Sequence, residues 1–210
     1  MTYICHECAN ALPAEKLITH NSYVIRCHEC QSRHGAHRFR LICPKLYQQT
    51  VVKDLPRPEL LTKTMEWKAG PRGILLRGKT STGKTRCAWK LIERVLTVDL
   101  LTVEAFDCIG FGHELARRYN STDPAEDTAA DWLEWLAKVP VVFFDDLGKL
   151  KLTERAEAEL FGLIERRTAN MLPIIATTND SGSMLESRMT DNRGEPLIRR
   201  LREFCDIISF

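Results

Sequence analysis

The sequence has no apolar run long enough to cross a bilayer. Its longest uncharged apolar stretch is VPVVFF at 139–144, far below the roughly 18 residues that a span requires. A secretory leader is missing as well, because the opening MTYICHECAN has no apolar core. Charge of one sign is scarce: 30 Lys and Arg against 28 Asp and Glu leave a net +2, too little to select nucleic acid, membrane or acidic partners by overall field. Wholesale disorder is excluded too, since 44% of the residues are apolar and 28% charged. These absences predict a soluble, cytoplasmic protein with no membrane partner. At 210 residues it has room for one well-buried domain and a small appendage.

What is present is unevenly spread. Five of the six histidines precede residue 40, and the tetrapeptide CHEC occurs at 5–8 and again at 27–30. Two Cys-x2-Cys pairs with an 18-residue spacer have the spacing of a zinc ribbon, in which each turn aims two thiolates at one ion. A hairpin through LITHNSYVIR at 17–26 would bring the second turn opposite the first. Cys5, Cys8, Cys27 and Cys30 are the expected Zn2+ ligands, in a closed structural site. Two disulfides or free thiols are the alternatives, and a cytosolic setting disfavours disulfides. Cys43 is a substitute ligand, and His6 and His28 are expected beside the site or in solvent. The proline-bearing stretch PKLYQQTVVKDLPRPELLTKTMEWKAGP reads as a connector with a short helix. The boundary falls near residue 50, giving 1–50 as zinc module and connector and 51–210 as the main domain.

The main domain opens with GILLRGKTSTGKTRCAWKLIERVL, an apolar strand pattern, a loop and a helical pattern. The loop is Gly78-x4-Gly83-Lys84-Thr85, the Walker A spacing. GKT occurs twice, yet only the second copy stands at that distance from an earlier glycine, so Lys79 is not the nucleotide lysine. The backbone of Thr80, Ser81 and Thr82 is expected to wrap the phosphates of ATP, with Lys84 on the terminal phosphates and Thr85 on Mg2+. A metal anchor is expected at the end of a buried strand. VVFFDDLGK at 141–149 provides Asp145 for Mg2+ and Asp146 for the attacking water. A third apolar strand, LPIIATTND at 172–180, ends in Thr177, Thr178 and Asn179, whose amide is placed to sense the γ-phosphate or fix water.

Near the end, EPLIRRLREF reads as an amphipathic helix. Leu197, Ile198, Leu201 and Cys205 form its stripe, Arg199 points away, and Arg200 and Arg202 flank it.

Taken in order, GKTSTGKT, VVFFDDLGK, ATTND and LIRRLREF resemble the AAA+ ATPases of the DnaC/DnaI helicase-loader and IstB transposition-helper family, over about residues 70–210. The resemblance implies an α/β P-loop fold, a five-stranded parallel sheet with helices on both faces. Strands are expected at 73–77, 100–105, 141–145, 174–178 and 206–210, with two helices at about 107–120 and 125–138. It implies an ATP-bridged homo-oligomer in which one arginine reaches the neighbour's γ-phosphate. Arg200 matches that position best, with Arg202 in reserve and Arg167 as a further contact across the seam. Arg117, Arg118 and Tyr119 are candidates for DNA contact, weighed against a solvated helix face. Lys79 and Ser81 stand where the family carries proline and glycine, and no helical lid follows the last strand before Phe210, so slow hydrolysis without a partner is expected. The implied function is that of a replication helicase loader acting on a replicative helicase and single-stranded DNA. A transposition helper on duplex DNA and a zinc adaptor whose nucleotide site serves assembly are the alternatives. A P-loop kinase is disfavoured, because paired acids and TTN suit water as nucleophile.

Overall fold

The computed structural model describes residues 2–13, 26–123, 126–148, 152–188 and 193–210. Most of the hairpin expected at 17–26 lies outside them. At the front, β1 (Thr2–Ile4) and β2 (Ala11–Pro13) pair antiparallel, and the first CHEC is in the turn between them. The second CHEC opens a helix. Cys27 caps α1 (His28–Ile42), its sulfur accepting from the Cys30 amide.

The connector holds more structure than one short helix. It contains α2 (Lys45–Gln48), a 3-10 turn (Val52–Asp54) and α3 (Pro58–Glu66), which has proline in its first turn, where a missing N–H costs nothing.

Five parallel strands form the central sheet: β3 (Gly73–Arg77), β4 (Val103–Asp107), β5 (Val141–Asp145), β6 (Ile174–Thr178) and β7 (Cys205–Ser209), in the order β4-β5-β6-β3-β7. Their continuous apolar runs follow from burial on both faces. Val142 and Phe144 of β5, with Ile174 and Ala176 of β6, enter one core, whereas Val141, Phe143 and Ile175 enter the other.

The first core is closed by α5 (Cys108–Asn120), α6 (Ala129–Leu136), α7 (Glu154–Ala169) and α9 (Gly194–Phe204), with α8 (Gly182–Arg188) beside α9. The second is filled by α4 (Lys84–Thr97), which buries Cys87, Ala88, Trp89, Leu91, Ile92, Val95 and Leu96. Such all-round burial needs an outer cover, and α1 and α3 provide it. Gly35 allows α1 to approach, since a Cβ there would lie 2.0 Å from the Leu96 carbonyl oxygen. Phe39 then meets Trp89 edge to face at 6.3 Å. Packing is therefore continuous across residue 50, the boundary expected from sequence.

Three elements are displaced from their expected places, β7 by a single residue, since it begins at Cys205 rather than at 206. β4 begins at Val103 rather than at residue 100, because Leu100 turns at φ 58° and is buried below the end of α4, where the Leu101 amide donates to the Val95 carbonyl. Helix α6 starts at Ala129, held there by a capping box between Thr128 and Asp131.

Candidate functional site: a nucleotide cleft and a four-cysteine cluster

The cleft forms where β3, β5 and β6 end side by side. Gly78 leaves β3 with φ 155°, and a Cβ on it would lie 2.4 Å from the Phe210 carbonyl oxygen. Glycine is therefore required here by the neighbouring strand as well as by the loop. Ser81 adopts φ 65°, a left-handed conformation in a non-glycine residue.

Lys84 is buried at the start of α4, and its Nζ donates to the Lys79 carbonyl at 2.7 Å and to Asn179 Oδ1 at 2.9 Å. Burial lowers its pKa, against the pull of Asp146 and Asp145. Thr85 Oγ1 donates to Asp145 Oδ1 at 3.0 Å, and Thr177 Oγ1 donates to the same oxygen at 2.6 Å. Burial raises the Asp145 pKa, with the two hydroxyls working in the opposite direction. Asp146 has φ 55°; its amide donates to Thr177 Oγ1 at 2.8 Å, and its Oδ1 accepts from Asn179 Nδ2 at 3.1 Å. Thr177 thus ties the two acids together. A hydroxyl and a half-buried carboxylate on one side, with an ammonium on the other, suit a phosphate-bound Mg2+ and its triphosphate.

Around these groups is a cavity of ≈ 540 Å³. One wall is the loop, with Thr80, Ser81, Gly83, Lys84 and Thr85; the other is the connector, with Leu46, Tyr47, Asp54 and Pro56. No motif marks the connector wall in the sequence, and Arg86, next to the loop, holds it in place. Arg86 Nη1 donates to Thr50 Oγ1 at 3.2 Å and to the Leu46 carbonyl at 3.4 Å, and its guanidinium lies 5.9 Å from the Tyr47 ring centroid.

Residues 74–200 match the ATPase family associated with various cellular activities (AAA). The chain belongs to the AAA ATPases. Among solved structures, this AAA chain is similar in fold to DnaA from Aquifex aeolicus bound to AMPPCP, with TM-score 0.60 and 16% identity over 78% of this chain and 49% of that one. A replication initiator DnaA bound to AMPPCP and single-stranded DNA gives TM-score 0.59 and 16% identity, again over 78% and 49%. A DnaC helicase loader gives TM-score 0.58 and 18% identity over 82% of this chain and 95% of that one. The AAA chain spans about half the length of the DnaA structures. None of the curated proteins compared matches it. No helix among the described residues is long and apolar enough to cross a membrane.

At the front of this AAA chain, the sulfurs of Cys5, Cys8, Cys27 and Cys30 all lie within 4.8 Å of one another. A tetrahedral zinc with bonds of about 2.3 Å needs sulfurs about 3.8 Å apart, and Cys8 and Cys27 are 3.7 Å apart. The Cys8 amide leads the hydrogen bonds that draw Cys5 down to about 6, while burial pushes Cys30 up to about 12. Arg33 Nη2 donates to Cys30 Sγ at 3.0 Å. The donor set fits Zn2+. Cys43 is not part of it: buried at the far end of α1, its thiol donates to the Pro44 carbonyl. His6 and His28 are exposed.

Several arginines are placed otherwise than expected. Arg167 is no seam contact. It is fully buried, and donates to the carbonyls of Leu136, Val139, Pro140 and Pro173, closing the turns before β5 and β6. Arg117 and Arg118 both bond Glu114, Arg117 also pairs with Glu126, and Arg118 lies over Trp132. Tyr119 donates to Glu159 under the Arg155 guanidinium, so this helix face is satisfied within the protein. Arg200 grips both oxygens of Glu165 on α7, at 2.6 and 3.1 Å, while Arg199 and Arg202 line a surface recess.

Proposed function

We propose that the chain is an ATP-hydrolysing accessory factor of DNA replication, a cytoplasmic helicase loader that engages single-stranded DNA and a replicative helicase. The observation that carries this reading is the joining of Lys84, Thr85, Asp145, Asp146 and Asn179 around one cleft. The fold likeness to a DnaC helicase loader over most of that chain supports it, as does the likeness to a DnaA holding single-stranded DNA. Family membership supports hydrolysis.

In this reading Thr85 and Asp145 hold Mg2+, which neutralises charge on the phosphates when bound. Lys84 leaves the Asn179 oxygen for the terminal phosphate. Asp146, steadied by the Asn179 amide at 3.1 Å, accepts a proton from the attacking water. An arginine of α9 completes the site of a neighbouring copy, so the working form is a homo-oligomer. The four cysteines hold a structural zinc.

The test is phosphate release by the full chain, with binding read from a fluorescent ATP analogue. Asp146→Asn should bind the analogue normally and lose turnover by about 10² or more, while Lys84→Ala should lose binding. Single-stranded DNA and a hexameric helicase should stimulate the wild type. Turnover in Asp146→Asn equal to wild type would sink the hydrolytic assignment; indifference to both DNA and helicase would sink the loader reading.

A further inference from the structure

Strand β4 ends the sheet and pairs with β5 alone. The Val141 amide donates to the Thr102 carbonyl, so the alternation of a parallel ladder turns the N–H and C=O of Val103 and Ala105 to the other side. No strand among the described residues pairs there. What crosses this edge is an ion pair. Arg38, on α1 and so on the α4 side of the sheet, donates to Glu104 Oε1 at 2.6 Å. Glu104 stands on the opposite face, in register with the core residue Val142. A bare strand edge is a template for another extended chain.

Arg38 lines a cavity on each side of the edge. Toward α4 lies one of ≈ 340 Å³, walled by Leu41, Leu96, Leu100 and Leu101, of which Leu41 is 66% exposed. Toward α5 and α6 lies one of ≈ 650 Å³, walled by Phe106, Trp132 and Trp135. Trp135 is 46% exposed, and no ring packs against it among the described residues. Carboxylates outnumber guanidiniums in this second cavity. Arg38 and Arg118 are paired with Glu104 and Glu114, which leaves Asp107 and Asp127 without an ion pair among the described residues.

We propose that the edge of β4 takes an added strand from a partner protein, an extended segment in which aliphatic side chains alternate with lysines or arginines. The proposal is independent of the nucleotide cleft. Successive side chains of a strand point to opposite faces, so the aliphatic ones enter the leucine cavity while the cations reach Asp107 and Asp127 and lie on Trp135. The outward groups of Val103 and Ala105 supply the main-chain bonds. Val103 is fully buried, so Arg38 is a latch that swings off Glu104 before the strand pairs along the whole edge, and a cation of the guest takes its place. Charge decides against other occupants. A second β4 would set Glu104 and Asp107 against their like, which destabilises facing positions, and nucleic acid would bring phosphates to an acidic wall.

The experiment titrates the full chain with a capped peptide of about six residues, lysine alternating with valine. Binding is read by calorimetry and by hydrogen exchange. The peptide should slow exchange in β4, and replacing its lysines with glutamates should weaken binding by about tenfold or more. Two further peptides carry N-methyl groups on the lysine amides or on the valine amides. Only one of these sets faces β4, so the two should differ by about tenfold. Trp135→Ala/Asp127→Asn should weaken binding by about tenfold. Ala105→Pro, which removes only an outward N–H from an edge strand, should abolish the protection of β4. Arg38→Ala should bind more tightly than wild type, because the latch is gone; an affinity at or below wild type would overturn the latch. Equal binding of the two methylated peptides, indifference to Trp135→Ala/Asp127→Asn, or no binding at about 1 mM peptide would overturn the added strand. Protection of β4 that rises with protein concentration alone would assign the edge to a second copy and overturn the partner.

Discussion

At Asp145, stability and chemistry oppose each other. Its carboxyl is held above the ordinary range, chiefly by burial, so the folded protein binds that proton more tightly than the unfolded chain does. Stability from this group is greatest at low pH and is lost as pH rises from about 4 through the raised folded value. Asp145→Asn keeps an acceptor for Thr85 and Thr177 but has no charge to bury. Without nucleotide, that variant should be more stable than wild type at pH 7 and should lack the decline. Thermal unfolding of both proteins between about pH 4 and 7 checks this, and parallel curves would refute it. The amide should also weaken Mg2+-dependent nucleotide binding. The residues around this acid were legible in the sequence because their signals are local: glycine spacing for Lys84 and Thr85, strand ends for Asp145 and Asn179. Tyr47 and Arg86 form their contact across 39 residues of chain, with no motif to announce it. Arg167 reads as a surface arginine until the fold brings four carbonyls around it.

Among the elements, the pairing of α1 with α4 depends most on a single atom. Alanine at position 35 would gain up to about 1 kcal/mol in helix propensity. Its Cβ would nevertheless sit 2.0 Å from the backbone oxygen of Leu96, which cannot rotate aside as a side chain would, and such overpacking costs about 1–3 kcal/mol. The clash should win. Gly35→Ala is expected to lower the urea midpoint by an amount equivalent to about 1 kcal/mol or more, and an unchanged or higher midpoint would show that α1 shifts freely on α4. The strands β3, β5 and β6 were legible because burial on both faces gives unbroken apolar runs. β4 was read three residues early, since Leu100 and Leu101 are as apolar as the strand but belong to the turn before it. The role of α1 was hidden, because its cysteines suggested a separate knot while Phe39, Ile42 and Cys43 face the ATPase core.

For the whole molecule, this arrangement would link a metal held by the four cysteines to the fold. Cys27 caps α1 and Cys30 lies in its first turn, so a zinc held there fixes the start of a helix whose far end covers Trp89. Removing the metal with a chelator under reducing conditions should lower the unfolding temperature of the entire chain by several degrees, roughly what 1–2 kcal/mol produces at this size. Hydrogen exchange should accelerate in α1 and on the facing turns of α4. An unchanged transition, with exchange confined to residues 2–13, would instead support the independent module expected from the sequence. The same shared helix limits how this protein can be re-engineered. A head cut away at residue 43 or 50, or replaced with a foreign one, would take the cover off α4 and leave Trp89 wet. A chimera therefore has to retain everything from Gly35 onward, and the portion that can be exchanged as a cassette shrinks to the cysteine turn and the first two coils of the helix.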